Sequence, residues 1–268
     1  MAALCSAAMV IGLSTVISAG FATGVASAAT HTVDKAKAKS TTTTSKSKGK
    51  KTASTTTSST TVTHTTTVSA ADTWLLKAIG AEANLGSVRI VGNVEQSTGD
   101  IILSIDVNGD GEGGGTFKQQ GSTIQLKRIG TLLYFNAPTK FWAAHASAAQ
   151  TKEYGGKWIE VSALNSEFTS FDQFLNAGDL VAAVFQGHTT PLVLSKPTTY
   201  EGHKVLIVSD TIVYKGKKTT GQMYIQDKGK PYVLKIVDRG PSENSTIYFS
   251  DYTKAKSIEV PPEPINLS

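Results

Sequence analysis

The sequence predicts an α+β fold: a curved antiparallel β-sheet, a half-barrel of about ten strands, with helices covering its concave face. Three observations lead there. From Val88 onward apolar and polar residues alternate with a period of two, in runs separated by Gly, Asn and Asp turns. Three stretches, at 72–84, 140–149 and 170–186, place apolar residues at helical spacing instead. Finally, only the region from residue 70 onward has the composition to build a core.

The elements follow in order. Asp72 can cap an opening helix in which Trp74, Leu75, Ala78 and Ile79 share one side, ended by Gly86. Val88, Ile90 and Val94 alternate with Arg89, Asn93 and Glu95, and after Gly99-Asp100 the pattern resumes at Ile101, Leu103, Ile105 and Val107, a hairpin. Asn108-Gly109-Asp110-Gly111 makes the next turn, followed by strands at 113–120, 122–129 and 131–136. A helix at 140–149 contains Phe141 and Trp142, and a short strand spans 157–161. Ser170 and Gln173 have capping-box spacing ahead of the stripe Phe171, Phe174, Leu175. After Gly178, Asp179 can cap a second helix bearing Leu180, Val181, Val184 and Phe185, with Gly187 at its left-handed end. Strands return at 200–209, 211–215, 221–226, 231–237 and 245–251, and Pro261-Pro262 cannot continue a sheet.

Ahead of the folded region lie two segments of another kind. Residues 1–30 carry no charge, and the apolar run from Ala7 to Ile17 followed by Ala26-Ser27-Ala28-Ala29 reads as an export signal, residues 1–29. An uncleaved membrane anchor is the alternative. Cys5, the single cysteine, follows Ala2-Ala3-Leu4, where a bulky Leu replaces the small residue that lipid attachment needs. Residues 40–69 hold 21 Ser or Thr among 30, so 30–69 reads as a disordered linker. The formal charge of +5 is concentrated there: seven lysines stand against Asp34, whereas residues 71–268 carry 19 basic and 20 acidic side chains. A folded nucleic-acid-binding domain is thereby disfavoured, and the lysines are suited to anionic envelope polymers.

One apolar sheet face needs a cover, and the helices supply the available apolar surface, so the two either pack solid or enclose an apolar cavity. The residues placed to line such a cavity are Trp142, Trp158, Phe168, Phe171, Phe174, Leu180, Val184 and Phe185. No catalytic set emerges: there is no G-x-S-x-G elbow, and His145, His188 and His203 lack metal-site spacing. Asp106, Asn108 and Asp110 imitate a calcium loop, but Phe117 occupies the position of its essential acidic ligand. Asn244-Ser245-Thr246 matches a glycosylation sequon. No cofactor or metal is expected, and the chain is expected to be a monomer.

The order of Ser87-Val88-Arg89-Ile90-Val91-Gly92, Gly114-Gly115-Thr116-Phe117, Ile124 to Gly130, Leu133-Tyr134-Phe135, Phe141-Trp142 and Gly156-Lys157-Trp158-Ile159 resembles the actinobacterial envelope lipoproteins of the LppX and LprG type. Tyr200 to Val205, Met223-Tyr224-Ile225, Lys230 to Ile236 and Tyr248 to Tyr252 continue the likeness, which covers nearly all of 71–262. The resemblance implies a half-barrel similar to the periplasmic lipoprotein carriers (LolA-like), whose concave side and helices enclose a hydrophobic cavity for acyl chains. It implies an exported, non-catalytic envelope protein that binds lipid and ferries it. An exported wall-interaction or scaffold module with a solid core is the alternative.

Overall fold

The computed structural model describes residues 68–267 except 96–98, 166–167, 186–189, 215–216, 242–243 and 253–254. The export segment, almost all of the linker, His188 and Gly187 therefore lie outside the described residues. Helix α1 (Ala70–Ala83) is followed by β1 (Ser87–Val94), β2 (Ile101–Asn108), β3 (Gly113–Gln119), β4 (Ser122–Ile129) and β5 (Leu132–Asn136). Helices α2 (Thr139–His145) and α3 (Ala148–Tyr154) precede β6 (Trp158–Ser162). Next come α4 (Thr169–Asp172), a 3-10 turn (Gln173–Leu175) and α5 (Ala177–Val184). The C-terminal half contains β7 (Val193–Leu194), β8 (Thr198–Tyr200), β9 (His203–Tyr214), β10 (Lys217–Gln226), β11 (Val233–Arg239), β12 (Asn244–Ser250) and β13 (Ile265–Asn266).

The fold is α+β, with one open, antiparallel-dominated sheet in the order β13-β6-β5-β4-β3-β2-β1-β12-β11-β10-β9-β7, and β8 paired to β9. Two meanders, β1 to β6 and β9 to β12, are joined where β1 pairs with β12. Because β6 lies near one edge and β7 at the other, the chain between them must cross the sheet. That crossing carries α4, the 3-10 turn and α5 over the apolar face.

Register explains why that face is continuous. Val208, Met223, Ile236, Ile247, Gly92, Leu103, Phe117 and Ile124 are successive cross-strand partners over eight strands. All are buried, so one row of side chains runs from β9 to β4 beneath the helices. Gly92 sits at the joint between the meanders, where a Cβ would lie 2.7 Å from the Thr246 carbonyl oxygen and 3.0 Å from Ile247. A side chain there would push the two halves apart.

Several boundaries differ from the sequence reading for local reasons. Ser69, not Asp72, is the N-cap of α1; Asp72 closes the reciprocal box, with Ser69 Oγ accepting from Asp72 N at 3.0 Å. The stretch read as one helix at 140–149 is two, because Ser147 and Gln150 form a new capping box that starts α3. Ser170 lies inside α4, and Asn176 rather than Asp179 caps α5, its Oδ1 accepting from Asp179 N at 3.1 Å. Strand β9 runs unbroken through Asp210, whose Oδ1 accepts the Gly221 amide at 3.1 Å. After Pro261-Pro262 the chain rejoins the sheet as β13, parallel to β6 with Ile265 opposite Ile159.

The C-terminal segment reaches β13 by crossing the outer face. Lys256 N donates to Asn108 Oδ1 (3.0 Å) and Asn108 Nδ2 donates to the Lys256 carbonyl (2.7 Å). The Lys256 ammonium meets Asp106 at 2.6 Å, and Lys127 Nζ donates to the Glu259 carbonyl at 2.8 Å.

Candidate functional site

The interior between helices and sheet is built around aromatic rings. Phe135, on the core side of β5, touches Phe141 (5.5 Å between centroids), Trp142 (5.5 Å), Phe168 (5.9 Å) and Phe171 (4.9 Å). Phe117 of β3 packs on Phe171 at 5.2 Å and Phe174 at 5.8 Å, and Tyr154 of α3 closes on Trp142 at 5.3 Å. Tilted and edge-on pairs of this kind add roughly 0.5–1.5 kcal/mol each beyond burial. Phe171 and Phe174 project from a four-residue helix and a three-residue 3-10 turn. Elements that short have no stability of their own, so their side chains hold them on the sheet. Arg128 of β4 adds one polar tether, with Nη1 3.1 Å from Asp172 Oδ1. Burial raises the Asp172 carboxyl, an effect that Arg128 opposes and Asp179 reinforces.

The sequence candidates are distributed unevenly. Trp142, Phe168, Phe171 and Phe174 meet in the aromatic cluster, and Leu180 and Phe185 of the α5 region are buried in the same core. Val184 is partly buried against it. Trp158 stands apart: Ile159 and Val161 occupy the core-facing positions of β6, and Trp158 lies on the other face, with Lys127 Nζ 5.3 Å from its ring centroid. Phe117, Phe135, Phe141 and Tyr154 belong to the cluster although the sequence reading did not place them among the lining residues. The alternation on β3 and β5 was the available signal, since it points both phenylalanines to the covered face.

A concavity of about 80 Å³ lies between the end of α1, the β2–β3 turn and Leu175 to Ala177. Among the described residues, larger concavities lie elsewhere, including a groove of about 350 Å³ beside Trp158, Lys127 and Ile258 and a cleft of about 450 Å³ beside Tyr232 and Tyr252.

Polar groups do enter the core. Glu82 of α1 is 2% exposed; its Oε1 accepts the Val233 amide at 2.9 Å and lies 2.8 Å from the Tyr252 hydroxyl. Burial pushes the Glu82 carboxyl from 4.5 up to about 7, against the opposing effect of those two hydrogen bonds. Asp238 is raised from 3.8 to about 6, first by burial and then by the neighbouring Asp210. Ser245, the cross-strand partner of Asp238, is 5% exposed, and its hydroxyl has no hydrogen-bond partner among the described residues.

Among the described residues, no three His, Cys, Asp or Glu side chains gather as a metal site would require. The turn that imitates a calcium loop is an ordinary hairpin: Asp106 is paired with Arg89 at 3.1 Å, and Asp110 Oδ1 accepts the Glu112 amide at 3.0 Å. Asn244 of the sequon opens β12 and donates to Glu95 Oε2 at 3.2 Å. Among the described residues, no helix is long and apolar enough to cross a membrane.

A scan against known protein families returns no match, and no curated protein matches. Among solved structures the chain is similar to LprF from Mycobacterium bovis, at 16% identity and a TM-score of 0.46, over 71% of this chain and 96% of that one. It is also similar to the Mycobacterium tuberculosis lipoprotein LppX, at 11% identity and a TM-score of 0.46, over 70% and 97% of the two chains. An uncharacterized conserved protein from Thermus thermophilus is a third, at 10% identity and a TM-score of 0.40, covering 74% of this chain and 99% of that one.

Proposed function

We propose that this is an exported, non-catalytic protein of the cell envelope that holds acyl chains between its sheet and the helices laid across it. In this reading residues 1–29 are the export signal, 30–69 the linker whose lysines meet anionic envelope polymers, and 70–268 the folded, monomeric lipid-binding unit. The observation that carries it is the cover itself. An apolar face crossing eight strands is roofed over β3 to β5 by Phe171 and Phe174, on helical pieces of four and three residues. Such a roof can lift without unfolding the sheet, because the two meanders keep their own ladders. An acyl chain that takes its place gains roughly 0.8 kcal/mol per buried methylene, so a long chain can offset the lost ring contacts. In this reading the chain carries lipid through the envelope.

A second reading, an exported wall-interaction or scaffold module with a solid core, is supported by the ring-to-ring contacts of Phe117, Phe135 and Phe171 between helices and sheet. The two separate on one experiment. The folded unit purified without detergent and extracted with organic solvent yields bound lipid by mass spectrometry, and the emptied protein takes up a fluorescent fatty acid saturably. Absence of both leaves the scaffold reading.

A further inference from the structure

At the end of the sheet where β10 and β12 finish and β11 begins, beside the point where Glu82 of α1 meets Val233, lies a cleft of about 450 Å³. Its size falls within the range of about 300–1,000 Å³ typical of small-molecule sites. The rings of Tyr232 and Tyr252 stack there at 4.0 Å, only 9° from parallel. Tyr252 is fixed from behind, since its hydroxyl donates to the Val233 carbonyl oxygen and lies 2.8 Å from Glu82 Oε1. The aromatic wall is therefore rigid before any ligand arrives. The outer face of Tyr232 is covered only loosely, by the exposed Lys230 ammonium 5.6 Å from the ring centroid. Around the rim stand Glu201, His203, Lys230 and Asp251. Glu201 and Asp251 both adopt left-handed backbone, with φ of 48° and 54°, where glycine would be the easier residue. Carboxylate-bearing residues thus occupy two turns that favour glycine, on opposite sides of one cleft.

We propose that this cleft binds an uncharged sugar ring, a site separate from the acyl-chain interior. The C–H face of a pyranose lies against an aromatic ring, as other amphipathic groups do, while its hydroxyls point outward in the ring plane. There the carboxylates accept, the ammonium donates, and the imidazole and the Gln226 amide do either. The rim chemistry decides the class. Two carboxylates oppose a phosphate or another anion, whereas a bare acyl chain would strip water from the charged rim without replacing its hydrogen bonds. A polyhydroxyl ligand satisfies the rim and covers the rings at once. The sugar can be free or can be the head group of a glycolipid.

The test uses the full chain in two arms: titration with maltotriose, mannotriose and tri-N-acetylchitotriose followed by NMR saturation transfer, and sedimentation with phosphatidylcholine vesicles with or without a glycosyl diacylglycerol. The expected result is saturable binding in at least one arm, weakened at least about tenfold by both Tyr232→Ala and Glu201→Gln. Binding confined to glycolipid vesicles and lost in both variants assigns the site to a lipid-linked sugar. No saturable binding in either arm, or binding that neither variant changes, overturns the proposal. Should Tyr232→Ala fail to fold, Glu201→Gln alone decides. Protein stripped of lipid serves equally well, so failure of the acyl-chain reading leaves this test standing.

Discussion

Replacing Glu82 with glutamine tests how α1 is pinned to the sheet. Glu82 is 2% exposed, and its carboxyl is raised from 4.5 to about 7 because burial penalises the charged form more than the Val233 amide and the Tyr252 hydroxyl favour it. The native state therefore holds this proton more tightly than the unfolded chain does. Its stabilising contribution is complete below pH 4.5 and is lost as pH rises to about 7. At roughly 1.4 kcal/mol per pH unit, the loss across that window is about 3 kcal/mol. Asp238, raised from 3.8 to about 6, acts with the same sign but only below about pH 6. Between pH 6 and 7 the Glu82 contribution is therefore the larger of the two. The amide side chain keeps an acceptor for the Val233 N–H while removing the charge. Glu82→Gln is expected to match the wild type near pH 4, to exceed it by up to about 3 kcal/mol at pH 8, and to show a shallower slope between pH 6 and 7. Urea denaturation followed by tryptophan fluorescence at half-unit pH steps measures this. A wild-type stability that is flat or rising from pH 6 to 7, or an identical slope in the variant, would refute the reasoning.

Other outcomes follow from the packing. Phe171→Ala removes a fully buried ring in contact with Phe117 and Phe135 and is expected to cost about 3–5 kcal/mol in urea denaturation. If acyl chains enter beneath this roof, saturating oleate raises the melting temperature of that variant more than that of the wild type, and equal shifts contradict the entry route. Gly92→Ala places a Cβ 2.7 Å from the Thr246 carbonyl oxygen; a loss of about 1–3 kcal/mol is expected, with amide exchange accelerated first along the β1–β12 seam. Trp158→Ala alters the opposite face of the sheet, so fatty-acid uptake is expected to stay unchanged, and a loss of uptake would place the ligand on the outer face instead.

The strand meanders were legible because each run alternates and each is closed by Gly, Asn or Asp. What failed was local competition between equivalent signals. Ser209-Asp210 reads as a break, yet Asp210 stays inside β9 because the Gly221 amide satisfies its carboxylate across the strand pair. Nothing in the linear sequence announces a partner eleven residues away. Ser69 and Ser147 both begin capping boxes, whereas Ser170 has the same spacing and lies within a helix. Spacing alone cannot rank them, because the choice depends on where the chain leaves the sheet. For the candidate site, the helix-borne aromatics could be placed in the core because they form stripes. Trp158 was misplaced relative to them although its parity with Ile159 and Val161 assigns it outward. The cleft at Tyr232 and Tyr252 was invisible, because its walls come from segments that only the β9–β12 register brings to one end.

The central claim is that the interior beneath the helices takes acyl chains, and it is tested most directly by what the folded protein carries. Purified from its native host without detergent, the unit is expected to release stoichiometric acyl lipid on solvent extraction and, once emptied, to bind a fluorescent fatty acid that Phe171→Ala alters and Trp158→Ala does not. A lipid-free extract together with no saturable uptake would contradict the account.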